Sequence, residues 1–111
     1  MDCLFCKIIA GEIPSAKVYE DDKVYAFKDI SPVAPVHVLV VPKKHYSSVM
    51  EVDDPEVFGQ IFEVIQKLAK ELGVSEDGFR IVNNCGDNGC QSVKHIHFHL
   101  IGGKQLDVTM G

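Results

Sequence analysis

With 111 residues, 46% of them apolar and 24% charged, the chain is long enough to bury one hydrophobic core and too apolar for a disordered, collagen-like or mucin-like protein. A formal charge of -5 excludes broad electrostatic binding to duplex nucleic acid, yet leaves room for a small ligand bearing phosphate. No stretch approaches the roughly 20 apolar residues that span a bilayer. The Met1-Asp2-Cys3 start has neither a basic leader nor an apolar run after it, so no membrane partner and a cytoplasmic location are expected, with the four cysteines as free thiols or metal ligands.

In chain order, Leu4 to Ala10 has the apolar spacing of a short helix, ended by Gly11 and followed by Pro14. Residues 17–20 and 24–29 are predicted strands joined by the turn Asp21-Asp22-Lys23. Ile30 to Pro35 is a loop, because its two prolines cannot donate to a ladder, and His37 to Val41 is a third strand closed by Pro42. The main helix is predicted from Asp54 as N-cap and Pro55 at the first helical position to Leu72, with Gly73 ending it. Its stripe of Val57, Phe58, Ile61, Phe62, Ile65, Leu68, Ala69 and Leu72 must pack on a sheet or a partner. Residues 79–84 form a fourth strand, Cys85 to Cys90 a turn-rich loop and His95 to Ile101 the last strand. No repeat, low-complexity tract or linker divides the chain, so one α+β domain over 1–111 is expected, an antiparallel sheet of about five strands with one main helix and a short N-terminal helix.

The five histidines fall in two clusters, His37 with His45 and His95 with His97 and His99. In His95-Ile-His-Phe-His-Leu-Ile101 the alternation is strict, so on a strand the imidazoles share one face at roughly 6.5 to 7 Å spacing, and Ile96, Phe98 and Leu100 anchor the other. Chance placement on a wet strand face explains one such histidine better than three in register. A neutral imidazole is a good nucleophile near neutral pH, its phosphorus adduct is labile to water, and a protonated neighbour stabilises developing charge. A three-histidine metal site remains an open alternative.

These residues resemble the histidine-triad superfamily, whose signature His-φ-His-φ-His-φ-φ, with φ apolar, is matched at every position from His95 to Ile101. Asp29-Ile-Ser-Pro, Pro35-x-His, Pro42-Lys-Lys-His, Gln91-Ser-Val-x-His and Gly102-Gly-Lys-Gln105 are similar to its Hint branch, nucleoside phosphoramidases that bind purine nucleotides, over nearly the whole chain. The resemblance implies His97 as the nucleophile, His99 as a phosphate contact and His37 as the histidine that orients the nucleophile. It also implies Ser92 near the leaving group, Asn84 and the Gln91 turn at the phosphate, and Asp29 on the ribose hydroxyls. Phe5, Ile8, Phe27, Ile30 and Leu39 would form the base pocket, though apolar residues in these elements would be core in any globular protein. The end of the chain, Asp107 to Gly111, departs from the Trp-Pro-Pro-Gly-like tail of animal Hint proteins, and Lys28 stands where relatives carry a histidine.

Cys3-x-x-Cys6 has metal-ligand spacing, and unliganded thiols are the competing reading. The resemblance supplies the other two ligands, His45 and His95, for a structural zinc that the chemistry itself does not require. A thioredoxin-like motif is disfavoured because no strand precedes Cys3. The expected activity is hydrolysis of an adenosine or guanosine 5′-phosphoramidate through a nucleotidyl-histidine. The alternatives are hydrolysis of dinucleoside polyphosphates, a nucleotide-binding regulatory module with vestigial activity, and a catalytic metal at the triad. A homodimer is expected, since family members pair into a continuous sheet and the stripe of the main helix exceeds what a small sheet covers.

Overall fold

The computed structural model of the chain describes residues 3–110. Seven regular elements follow in order: α1 (Leu4–Ile9), β1 (Lys17–Glu20), β2 (Val24–Lys28), β3 (Val36–Pro42), α2 (Glu56–Glu71), β4 (Phe79–Val82) and β5 (Phe98–Gly102). A single 3-10 turn, Val49–Glu51, lies before α2 and carries no apolar periodicity by which the sequence could announce it. The strands form one antiparallel sheet in the order β1-β2-β3-β5-β4, so β3 and β5 are central.

Local chemistry explains most boundaries. The β1–β2 turn closes because Asp21 Oδ1 accepts from Lys23 N and Val24 N, both at 2.8 Å. Asp54 Oδ1 accepts from Glu56 N at 3.0 Å, satisfying one of the orphan donors at the start of α2. At the other end Gly73 takes φ +76, with Gly73 N donating to Lys70 O and Val74 N to Ala69 O.

Alternation along the strands divides the interior into two clusters. Val24, Ala26, Val38, Val40, Phe98 and Leu100 face α2 and pack on Val57, Ile61, Val64, Ile65 and Leu68. Tyr25, Phe27, Leu39 and Val41 face the other way and pack on Cys3, Phe5 and Ile8 of the α1 region. The sheet therefore buries most of the α2 stripe within the chain. Phe62 remains 39% exposed at the margin of the stripe, and Phe58 and Leu72 are partly buried.

The last strand starts later than the sequence predicts. β5 begins at Phe98, and the β3–β5 ladder ends at Val40 opposite Phe98. Beyond that pair β3 runs into Pro42, which has no N–H to extend a ladder. His95 and His97 consequently sit in a bent segment rather than on a strand. The inward parity of Ile96 with Phe98 and Leu100 survives the bend, and all three are in the α2 cluster.

Candidate active site and metal centre

The segment ahead of β5 is tied down by bonds outside the ladder. Ile96 N donates to Tyr46 O at 2.7 Å, and His95 Nε2 donates to Pro42 O at 2.8 Å. A carbonyl accepts and never donates, so these partners fix which ring nitrogen of each histidine carries hydrogen.

At His97 the ring nitrogen Nδ1 lies 2.8 Å from His95 O and must carry the proton, which leaves Nε2 with a free lone pair. Burial pushes the His97 pKa below its ordinary value, so the lone pair is available at neutral pH. Phe5 of α1 meets the ring edge-on at 5.1 Å between centroids and 89° between planes, and it is itself braced by Phe27 at 5.3 Å.

His37 and His99 are diagonal neighbours on β3 and β5, since Leu39 stands opposite His99. Val33 N–H donates to His37 Nδ1 at 3.1 Å, so His37 holds its proton on Nε2. From there it donates to His99 Nδ1 at 2.9 Å, with Asp29 Oδ2 also near at 3.4 Å. Asp29 is steadied by Ser31 N, which donates to Oδ1 at 2.8 Å. His99 Nδ1 therefore accepts, and its remaining nitrogen, Nε2, is a donor. Burial first, then the nearby His97 and His37, hold the His99 pKa down at about 4, which makes that donor neutral.

Two groups of side chains among the described residues bring ligand atoms within 4.8 Å of one another: Cys3, Cys6, His45 and His95, and separately Asp29, His37 and His99. Proton placement separates them. At the first, His95 spends its Nε2–H on Pro42 and aims a bare Nδ1 at Cys3 Sγ (3.3 Å), Cys6 Sγ (3.5 Å) and His45 Nδ1 (3.1 Å). Cys6 Sγ is 3.4 Å from His45 Nδ1. Tetrahedral zinc with ordinary Zn–S and Zn–N lengths sets its ligand atoms about 3.3 to 3.8 Å apart, so this donor set fits a zinc ion. Cys3 Sγ also accepts from Cys6 N at 3.2 Å, which caps α1. Burial, then the neighbouring Cys3 thiol, raises the Cys6 pKa to about 11, so a metal must displace a proton there. At the second group the Val33 N–H already occupies His37 Nδ1, leaving no lone pair on Nε2 for a metal. The three triad histidines are thus not equivalent: His95 belongs to the first group, His99 to the second and His97 to neither.

The remaining expected residues scatter around this centre. Gln91 is 6% exposed and its amide is fully engaged: Oε1 accepts from Gly86 N at 3.0 Å, while Nε2 donates to Ser47 O at 2.6 Å and Val93 O at 2.9 Å. It braces the loop that carries Ser92, which is exposed. Gly89 lies against the backbone of Cys85, where a Cβ would stand 2.6 Å from the carbonyl oxygen, so the loop needs glycine there. Cys85 and Cys90 carry free thiols, and Asn84 is half-buried at the loop's start. Phe5, Ile8, Phe27 and Leu39 are buried in the core beneath the histidines, whereas Ile30 is 98% exposed beside Asp29. One contact carried no sequence signal: Asn83 Nδ2 donates to His97 O at 2.9 Å.

With these positions known, the three-histidine spacing places the chain in the histidine-triad class. The chain belongs to the HIT domain family, whose model matches residues 10–106. A 14 kDa zinc-binding protein of Brassica juncea is 48% identical over 99% of this chain and 100% of its own length. Adenylylsulfatase HINT1 of Arabidopsis thaliana is 49% identical over 97% of this chain and 76% of its own. Purine nucleoside phosphoramidase of Escherichia coli is 44% identical over 95% and 90%. The crystal structure of a histidine triad protein from Clostridium difficile superimposes with a TM-score of 0.95 at 55% identity, covering 99% of this chain and 97% of that one.

Proposed function

We propose that the protein hydrolyses purine nucleoside 5′-phosphoramidates, adenosine or guanosine monophosphate joined to an amine, through a nucleotidyl intermediate on His97. The free Nε2 of His97, enforced by the bond from Nδ1 to His95 O, carries this reading. Nε2 attacks the α-phosphorus, the bond from phosphorus to the leaving nitrogen breaks, and that nitrogen departs as the amine with a proton drawn from water by way of the Ser92 hydroxyl. Water then attacks the phosphorus, releasing the nucleoside monophosphate and restoring neutral His97. His99, kept neutral and oriented by His37, donates from Nε2 to a phosphate oxygen. Asp29 receives the ribose hydroxyls, Asn84 and the Gln91-Ser92 turn face the phosphate, and Ser92 stands on the leaving-group side. Exposed Ile30 touches the base, with Phe5, Ile8, Phe27 and Leu39 forming the floor below.

Cys3, Cys6, His45 and His95 hold a structural zinc, which fixes α1 against the segment ahead of β5 and leaves the chemistry to His97 and His99. The fit of the donor distances and the zinc-binding relative support this. The protein works as a cytoplasmic homodimer, an expectation supported by the open edge of β4, where Phe79 and Ile81 are 36% and 37% exposed. No helix among the described residues is long and apolar enough to cross a membrane.

Turnover on a panel tests the substrate class: adenosine and guanosine phosphoramidates, adenosine 5′-phosphosulfate and a dinucleoside polyphosphate, each with wild type and His97→Ala. The phosphoramidates are expected to have the highest kcat/KM and to lose it in the variant. A preference for the polyphosphate or the phosphosulfate would move the protein to another branch of the family, and turnover of nothing on the panel would favour a binding module.

A further inference from the structure

The proposed nucleophile sits one residue outside the sheet. The β3–β5 ladder ends at Val40 opposite Phe98, and the β4–β5 ladder at Val82 opposite His99. Strand pairing therefore does not hold the main chain at His97, although a displacement of about 1 Å at a reacting group can cost on the order of a hundredfold in rate. A side chain takes over that task. Asn83, the first residue after β4, donates from Nδ2 to His97 O at 2.9 Å. On the ring side, Nδ1 of His97 is held by His95 O at 2.8 Å. The residue is gripped at its carbonyl and at its imidazole, by donors and acceptors from two different segments.

We infer that Asn83 is a positioning residue for the hydrolysis: its carboxamide holds the main chain of His97, which lies outside the strand ladders, so that Nε2 is presented to phosphorus. This rests on His97 as the nucleophile. Asn83 acts through His97 and is not itself a catalytic residue. The chemistry of the side chain makes the role specific. An amide donates two N–H bonds, whereas an ionised carboxylate of the same shape donates none and would repel the carbonyl oxygen it replaces a donor to. Asn83→Asp thus removes the bond while conserving volume, and Asn83→Ala removes it with loss of the side chain. Asn83→Gln retains the donor at the end of one further methylene.

Rapid-quench mass spectrometry with an adenosine phosphoramidate measures the rate of nucleotidyl transfer to His97 in wild type and these three variants. Adenosine monophosphate titration and thermal unfolding are measured alongside. Asn83→Ala and Asn83→Asp are expected to slow adduct formation about 10- to 100-fold with less than about a twofold change in affinity for the monophosphate, and Asn83→Gln to recover part of the rate. Adduct formation at the wild-type rate in Asn83→Asp and Asn83→Ala overturns the role of Asn83 and leaves His97 as nucleophile untouched. A loss shared equally by affinity, thermal midpoint and the Gln variant overturns it in favour of a merely structural bond. Absence of any adduct in wild type overturns the His97 reading itself, and the inference with it.

Discussion

Lowering the pH from about 7 to about 5 in the presence of a chelator should withdraw much of the stability of the fold, because the buried histidines fold as neutral rings. His95 has no exposed surface and its pKa is held down at about 4, chiefly by burial, and that of His99 is also about 4 for the same leading cause. The folded values lie below the unfolded one of about 6.5, so this stability is complete above about pH 6.5 and is lost as the pH falls toward 4. Near pH 5 almost every unfolded imidazole is protonated while roughly one folded ring in ten is, which costs about 2 kcal/mol per histidine and about 4 kcal/mol for the two. His97, shifted in the same direction, adds to the loss. Urea unfolding followed by circular dichroism reads it as a midpoint lower by roughly 2 M, for the slope of a chain this size. His99→Gln should remove about half of the difference between the two pH values. Equal midpoints near pH 7 and pH 5 in the metal-free protein would refute the neutral, buried state of these rings, and with it the proton placement on which the site depends.

Metal analysis of protein purified without chelator should find about one zinc per chain, with the content abolished in Cys6→Ser and His45→Ala; full zinc in either variant would exclude the four-ligand centre. Gln91→Ala leaves the Gly86 N–H and two carbonyls without their partner, so chemical unfolding should show a loss of about 1 to 3 kcal/mol, and none would mean that the loop does not depend on that amide. His37→Ala frees the tautomer of His99 and should lower kcat about 10- to 100-fold with a smaller change in KM in steady-state assays; an unchanged kcat would show that His99 does not depend on His37 for its orientation.

Much of the fold was legible because local chemistry set it. Asp21 closes the first hairpin, Asp54 and Gly73 bracket α2, and the strand expected from His37 to Val41 lies within β3. The last strand shows where such reading stops. Parity alone put His95, His97 and His99 on one strand, but the ladder depends on the partner strand, and Pro42 ends it before His97. Similarly, the apolar width of α2 suggested an uncovered face, and the sheet covers most of it: Phe62 packs edge-on against Phe98 yet stays 39% exposed, and Phe58 and Leu72 are partly buried. At the site, residue types identified the histidines and the cysteines, yet proton positions come from backbone partners that no motif marks: Pro42, 53 residues away, for His95, and Val33, within the same loop and strand, for His37. The side-chain amide of Gln91 is occupied by Gly86, Ser47 and Val93, which leaves only the main chain of its turn to face a ligand, and Asn83, which no motif marked, holds the carbonyl of His97. Both depend on side-chain direction, which a one-dimensional pattern does not specify.

The most direct test of the central claim is the identity of the covalent intermediate. A phosphoramidate turned over by the wild-type protein, quenched in base within the first turnover and digested, should yield a peptide containing His97 that carries one nucleoside monophosphate on its imidazole, absent in His97→Ala. The same nucleotide found on another side chain, or rapid turnover with His97 never modified, would contradict it.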